Sequence, residues 1–275
     1  MFCDVELARE IEWAESELMA ACADAARAVE EDAFARPVAG GFATYAGADS
    51  PFTKVSGLGF AGLPAPGELD ALEAVYAECD VPVQVELASL ARHELGLALS
   101  ERGYRLVSFE NVLGHQLDAG RRAPAPPPGL TVAEVSGELE TWLSVMVEAS
   151  VAADDQGLAS HEDFSTQALA VAEAQLLESG ARPYLARLDG DIVGGGSLRV
   201  AGRVAQLGGA ATLPAYRRRG VQSALIARRL HVAATAGCQI AVVTTQPGSK
   251  SQQNVQRAGF ELLYVRAVLV KDGLS

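Results

Sequence analysis

Cysteine is scarce in this sequence of 275 residues, and its four copies, Cys3, Cys22, Cys79 and Cys238, are scattered without a CxxC pair. That excludes a zinc site built on paired thiols and argues against a disulfide framework; it reads as small, reduced thiols in a cytoplasmic protein. Long apolar runs are missing too, since none approaches the ~18 residues that cross a bilayer. Where a secretory signal would place basic and then apolar residues, the N-terminus carries Asp4, Glu6, Glu10 and Glu12. Basic residues are in deficit, 22 Lys and Arg against 35 Asp and Glu, for a net charge of −13. An acidic protein repels phosphate backbones and anionic lipid, so nucleic acid and membrane are excluded as partners.

The acidity is one-sided. Residues 1–120 hold 7 basic and 21 acidic residues, a charge of −14, whereas 121–275 hold 15 and 14, a charge of +1. An acidic half either solubilises the chain or attracts cationic substrates, with Glu86 and Glu110 on expected strands as candidates to face them. A proline-rich run, Ala119 to Gly129, separates the two sides. Prolines fix φ and lack the amide hydrogen, so this run reads as an extended spacer between a domain at 1–118 and a second at 130–275.

The two sides end alike. Arg102-Gly-Tyr-Arg-Leu-Val-Ser-Phe-Glu-Asn-Val-Leu113 aligns without a gap on Ala258-Gly-Phe-Glu-Leu-Leu-Tyr-Val-Arg-Ala-Val-Leu269, and a strand-like run precedes each. A repeat of this size points to duplication of one domain. Periodicity predicts helices over 4–35, 68–79 and 91–101 and strands over 54–60 and 82–88 on the first side. On the second it predicts strands over 130–135, 203–213, 239–245 and 260–270, and helices over 138–152, 161–179, 221–236 and 250–258. A hairpin turns at Asp189-Gly190. The fold class is α/β of the α+β kind, a mixed and mostly antiparallel sheet with helices.

The most informative stretch is Ala210-Ala-Thr-Leu-Pro-Ala-Tyr-Arg-Arg-Arg-Gly-Val-Gln-Ser223. A strand passes through a proline-led turn into an amphipathic helix, whose first turn offers amides without intrahelical partners. Gly220 lets the backbone approach an anion, and Arg217, Arg218 and Arg219 add fixed positive charge. A diphosphate suits such a place. The turn is neither a GxxxxGK[ST] loop nor a GxGxxG turn, which sets aside ATP P-loop and dinucleotide readings of it.

This segment resembles the signature of the GNAT N-acetyltransferases, Arg or Gln, two residues, Gly, one residue, Gly or Ala, here Arg217 to Gln222 with Gln222 in place of the small residue. Ser251-Gln-Gln-Asn-Val-Gln-Arg-Ala-Gly-Phe260 is similar to the family's helix before a Gly-Phe step. The resemblance covers residues 130–275 and implies two GNAT-like domains, the first degenerate. It implies acetyl-CoA as cofactor, with Ala210, Ala211 and Thr212 on its pantetheine arm, Arg217, Arg218, Arg219, Gly220, Val221, Gln222 and Ser223 around its pyrophosphate, and Asn254 as a further polar contact. It implies acetyl transfer to a primary amine of a small molecule. A protein or peptide acceptor and a non-catalytic CoA sensor are the alternatives.

Amine acetylation needs a deprotonated amine, a donor for the thioester oxygen and a proton for the leaving thiolate. A backbone amide between splayed strands can be the donor. The family's acid, a tyrosine four residues before the glycine, is replaced by Val255, which leaves Tyr264, Ser251 or water. Gln206 occupies the region of the usual base. Glu148, Asp154 and Asp155 are candidates to bind a cationic amine or relay its proton, the alternative being solvated loop carboxylates. His161 reads as part of a helix start led by Ser160, Tyr184 and Trp142 read as core, and no metal site is expected.

Overall fold

A computed structural model describes residues 1–118, 120, 124–151, 156–158 and 161–273. The chain divides into two compact units that do not follow the proline-rich run. The N-unit comprises 2–111, 160–179 and 263–275; the C-unit comprises Met1, 112–159 and 180–262. A helix and the last strand of the second half are thus built into the unit of the first.

The N-unit opens with helix α1 (Val5–Ala26), where the Asp4 carboxylate accepts the Leu7 amide at 2.9 Å as an N-cap. Ala8, Ile11, Leu18 and Cys22 line its buried stripe. The helix ends nine residues before the expected boundary at 35. The chain instead forms a hairpin of β1 (Phe34–Val38) and β2 (Gly41–Tyr45), turning through Ala39 and Gly40 at φ 43° and 84°. Pro37 is tolerated there because β1 is an edge strand. β3 (Lys54–Ser56), α2 (Glu68–Glu78), β4 (Val83–Ala88), α3 (His93–Glu101) and β5 (Arg105–Gln116) follow. α5 (Thr166–Glu178) packs on α1, and β12 (Glu261–Lys271) pairs antiparallel with β4. The α5 cap is Ser165, whose hydroxyl takes the Ala168 amide at 3.1 Å and donates to Asp49 at 2.7 Å. The helix therefore starts five residues beyond the expected 161. His161 lies ahead of it, with Nε2 3.1 Å from Gln84 Oε1.

Val83 and Val85 point from β4 into an apolar core with Tyr76, Leu95 and Leu99. The other face holds charge. Lys54 pairs with Glu86, and Arg266 donates to Glu12 at 2.7 Å and lies 3.4 Å from Glu110 and 3.6 Å from Glu86. Glu86 is 2% exposed and neutralised by these cations, so it is a member of a buried network and not a free attractor of substrate. Burial first, and Glu86 second, raise the Glu110 carboxyl to about 7.

The C-unit takes the later part of β5, from Val112 onward. It adds β6 (Leu130–Glu134), α4 (Leu139–Val151), β7 (Arg182–Leu188), β8 (Asp191–Ala201), β9 (Val204–Gln206), β10 (Ala210–Thr212), α6 (Val221–Thr235), β11 (Ile240–Thr245) and α7 (Lys250–Arg257). Its strands run in the order β5-β11-β9-β8-β7-β6, with β10 also on β8. Only β9 and β11 are parallel among its registered pairs. Asp189 and Gly190, at φ 53° and 98°, close the β7–β8 hairpin in the left-handed geometry such turns require. Trp142 and Tyr184 are fully buried. The expected strand at 203–213 is two strands, interrupted at 207–209.

The duplication is visible in the elements. Each half holds a run of hairpin, strand, helix, strand, helix, strand: β1, β2, β3, α2, β4, α3, β5 against β7, β8, the divided strand β9 and β10, α6, β11, α7, β12. Both α2 and α6 start on a left-handed glycine, Gly67 at φ 81° and Gly220 at φ 82°. Each last strand starts two residues after a left-handed glycine, Gly103 or Gly259. These are two GNAT-like arrangements, each a mixed, mostly antiparallel sheet with helices.

Candidate active site

The site is assembled in the C-unit where β9 leaves β11. Leu207 still donates to Val242 O at 3.0 Å, and from there the chain turns away to pair with β8 alone. The register on β8 shifts by one residue, from Arg199 opposite Gln206 to Gly196 opposite Ala210, so Leu207, Gly208 and Gly209 bulge against Ser197 and Leu198. Three glycines of β8 make room. A Cβ on Gly194 would lie 2.4 Å from Ala211 O, and one on Gly196 would lie 2.8 Å from Gly209 O. Gln206, in the region of the usual base, is buried and accepts from Arg199 at 2.8 Å.

Beyond β10, a single turn of 3-10 helix at Pro214–Tyr216 leads into the basic turn. Tyr216 is braced by Asp191, 3.3 Å from its hydroxyl, and by the Arg219 guanidinium over its ring. Arg218 is left-handed at φ 65°, an uncommon state for a residue with a side chain, and Gly220 is left-handed at the N-cap. Backbones that alternate into this region turn successive amides inward as an anion nest. The first intrahelical bond of α6 is made by Ala224 to Gly220 O, so the amides of Val221, Gln222 and Ser223 precede the ladder. Glycine at 220 is required twice: by its φ, and because a Cβ there would stand 2.9 Å from Pro127 Cγ. From Ser223 a cavity of about 300 Å3 extends along α6, with Pro124, Ala227, Leu230 and Arg257 among its walls.

Of the buried hydroxyls without a partner among the described residues, this unit holds four: those of Tyr184 on β7, Ser197 on β8, Thr212 on β10 and Thr245 at the end of β11. Buried hydroxyls normally find one. With the nest and the first turn of α6, those of Thr212 and Thr245 fit a polar, anionic ligand such as the pantetheine diphosphate of acetyl-CoA.

The structure thus brings Ala210, Ala211, Thr212 and the run from Arg217 to Ser223 together. Asn254, half-buried, and Ser251, exposed, follow on α7 in the same unit. Val255, at the family's tyrosine position, is packed in the core with Phe260. Tyr264 belongs to the N-unit: it is buried, and its hydroxyl donates to Glu12 at 2.7 Å. Burial and the Glu12 charge push its hydroxyl well above the ordinary tyrosine value. Glu148 is exposed on α4, and Asp154 and Asp155 lie outside the described residues.

Two features escaped the sequence reading. One is the glycine triplet of β8, whose signal was three glycines inside a strand pattern. The other is Arg229, fully buried although its neighbour Arg228 is exposed. Its signal was spacing, since 229 lies four residues after Leu225 and four before Ala233 on the buried stripe.

The N-unit shows the contrasting case. At the start of α2 the Glu68 carboxylate accepts the Ala65 amide at 2.8 Å and the Ala39 amide at 3.2 Å. Neither α2 nor α6 has a side-chain cap among the described residues, but the first turn of α2 carries the carboxylates of Glu68 and Asp70 where that of α6 carries none.

Comparison with known proteins agrees with this geometry. Residues 148–260 match the acetyltransferase (GNAT) family. Among solved structures, the chain is similar to a GCN5-related N-acetyltransferase from Kribbella flavida, at 22% identity and TM-score 0.57 with 76% of each chain covered. It is similar to a tandem GNAT protein from the clavulanic acid biosynthesis pathway, at 12% identity and TM-score 0.56 over 78% of this chain and 74% of that one. A GCN5-related N-acetyltransferase from Sphaerobacter thermophilus matches at 20% identity and TM-score 0.51, over 75% of this chain and 64% of that one. No curated protein matches the sequence. Residues 148–260 therefore carry a GNAT acetyltransferase domain, of the class that performs acyl-CoA-dependent N-acetyl transfer. No helix among the described residues is long and apolar enough to cross a membrane.

Proposed function

We propose that the protein transfers an acetyl group from acetyl-CoA to a primary amine of a small molecule, with the active site in the second half of the chain, 130–275. The first half, 1–118, is a degenerate copy without a cofactor site of its own. The observation that carries the reading is the turn from Arg218 to Gly220, left-handed at both ends, which leads into the first-turn amides of α6 beside the place where the strand leaves β11. In the first half the equivalent helix start carries the acidic residues Glu68 and Asp70, which disfavour an anion there.

Bound acetyl-CoA supplies a thioester whose carbonyl carbon accepts the amine lone pair and whose C–S bond then breaks, the electron pair leaving with sulfur and the surplus proton leaving the nitrogen. The amides of Val221, Gln222 and Ser223, with Arg217, Arg218 and Arg219, hold the diphosphate. Thr212 and the backbone of Ala210 hold the pantetheine arm, while Ala211 is paired to Gly195 of β8, and Asn254 is a further polar contact. The cavity along α6, apolar at Ala227 and Leu230 and lined by both Arg257 and Asp118, suits a nucleoside. The bulge amides are the donors for the thioester oxygen. Ser251 or water serves the leaving thiolate, and Glu148, Asp154 and Asp155 are the acidic candidates for drawing in an ammonium group. The four cysteines are free, which suits the reducing cytoplasm.

The test is thiol release from acetyl-CoA against a panel of small amines, diamines and peptides. Turnover with a small amine supports the reading. Turnover with peptides alone shifts the acceptor to protein, and CoA binding without turnover on any acceptor leaves a sensor.

A further inference from the structure

Arg229 lies on the side of α6 that faces the bulge, 1% exposed. Its Nη1 donates to Ser197 O at 2.8 Å, Gly208 O at 2.9 Å and Gly209 O at 3.2 Å, and its Nε to Leu225 O at 3.2 Å. No carboxylate forms an ion pair with it among the described residues. Burial lowers the guanidinium to about 10, so it stays charged at neutral pH. An unpaired buried cation is costly, and a neutral donor would suffice to splint carbonyls. The charge itself therefore calls for a use.

In a trans peptide the N–H points opposite to the C=O. With the carbonyls of Gly208 and Gly209 turned onto Arg229, the amides of Gly209 and Ala210 point the other way. Ala210 faces Gly196 in β8, while Leu213 donates to Val193 O. Pairing alternates along an antiparallel ladder, which makes Ala210 and Gly196 a non-bonded pair and turns the Ala210 amide away from β8. Gly209 and Ala210 are both exposed.

We infer that Arg229 is a positioning residue for acyl transfer: it fixes the bulge and, by its charge on the two carbonyls, strengthens the amides of Gly209 and Ala210 as donors to the thioester oxygen. The inference rests on the acetyl-transfer reading. Its class of effect is electrostatic preorganisation, in which fixed dipoles meet charge that develops during the reaction. A purely structural splint depends on hydrogen bonds and shape, whereas this role depends on charge.

The decisive change is Arg229 to citrulline, the neutral isostere, beside Arg229→Lys, which keeps the cation. The citrulline protein is expected to lose about 10- to 100-fold in kcat, less than deletion of a direct oxyanion donor, with its affinity for CoA by calorimetry within about threefold. Arg229→Lys is expected to keep kcat within about tenfold. In the ligand-free protein, the amide proton resonances of Gly209 and Ala210 should move upfield with citrulline and hold with lysine. Wild-type kcat in the citrulline protein, or unmoved amide resonances, overturns the inference. Failure of the unaltered protein to turn over any amine overturns the acetyl-transfer reading instead, and the resonance measurement still judges the polarisation.

Discussion

Substituting alanine at Gly220 and at Gly67 gives a controlled test of the cradle. Both glycines are left-handed N-caps, at φ 82° and 81°. A Cβ in that region costs about 1–2 kcal/mol at either position. Around Gly67 there is open space, while at Gly220 the new Cβ stands 2.9 Å from Pro127 Cγ. Overpacking of this kind costs a further ~1–3 kcal/mol if the fold absorbs it. If the turn rotates to relieve it, the amides of Val221 to Ser223 leave their aim, and each ~1.4 kcal/mol of lost binding is tenfold in Kd. Gly67→Ala should therefore lower the melting midpoint by about 2–8 °C and leave CoA affinity unchanged. Gly220→Ala should lower the midpoint at least as much and weaken CoA about tenfold or more. Calorimetry with CoA and thermal unfolding on both variants check this. Unchanged CoA affinity in Gly220→Ala, or an equal loss in Gly67→Ala, would refute the assignment of the nest.

Further outcomes follow from other groups. Tyr264→Phe removes a buried hydroxyl bonded to Glu12 and should cost about 1 kcal/mol of stability with kcat within a few-fold; a kcat loss of two orders with unchanged stability would restore it as the acid. Glu173 is raised to about 7 by burial, with Oε2 unpartnered. Its folded form holds a proton that the unfolded form releases near 4.5, so its cost to stability grows as pH rises from 4.5 and is complete above 7. Glu173→Gln should accordingly raise the melting midpoint at pH 8 and leave it unmoved at pH 4, and a gain at both would contradict the sign. If the acidic half captures cationic acceptors, kcat/KM for a polycationic amine should fall steeply between low and ~0.5 M salt while a neutral amine's stays shallow. Equal slopes would leave that half a structural partner.

Local chemistry was legible in the sequence and pairing was not. The run from Arg217 to Ser223 could be read because a left-handed glycine, a basic turn and a helix start are neighbours along the chain. The amphipathic spacing of α6 and the Asp189-Gly190 turn were legible for the same reason. The hairpin of β1 and β2 was hidden behind the apparent continuation of an acidic, alanine-rich helix, because its turn is encoded only by Ala39 and Gly40. The division of 203–213 depends on Arg229 and on Gly194 to Gly196, residues remote from the bulge in sequence. Glu68 at a helix start favours the helix by its charge alone, and its bonds to Ala39 and Ala65 could not be seen from its own neighbourhood. The burial of Glu86 likewise depends on Lys54 and Arg266, 32 and 180 positions away in the chain.

The placement of β12 has a consequence for the order of synthesis. Domains usually complete themselves as they leave the ribosome, the N-terminal one first. Here the unit begun by Phe2 must wait for residues 263–273, because its strand β4 pairs with β12 from Val83 to Ala88 and Arg266 is the counter-ion of Glu12. Until the last segment emerges, α1 carries a buried carboxylate without its cation and β4 an unpaired edge. A nascent chain stalled anywhere before Leu263 exposes both, and loss of residues 263–273 strikes a strand and a helix laid down about 180 to 250 positions earlier.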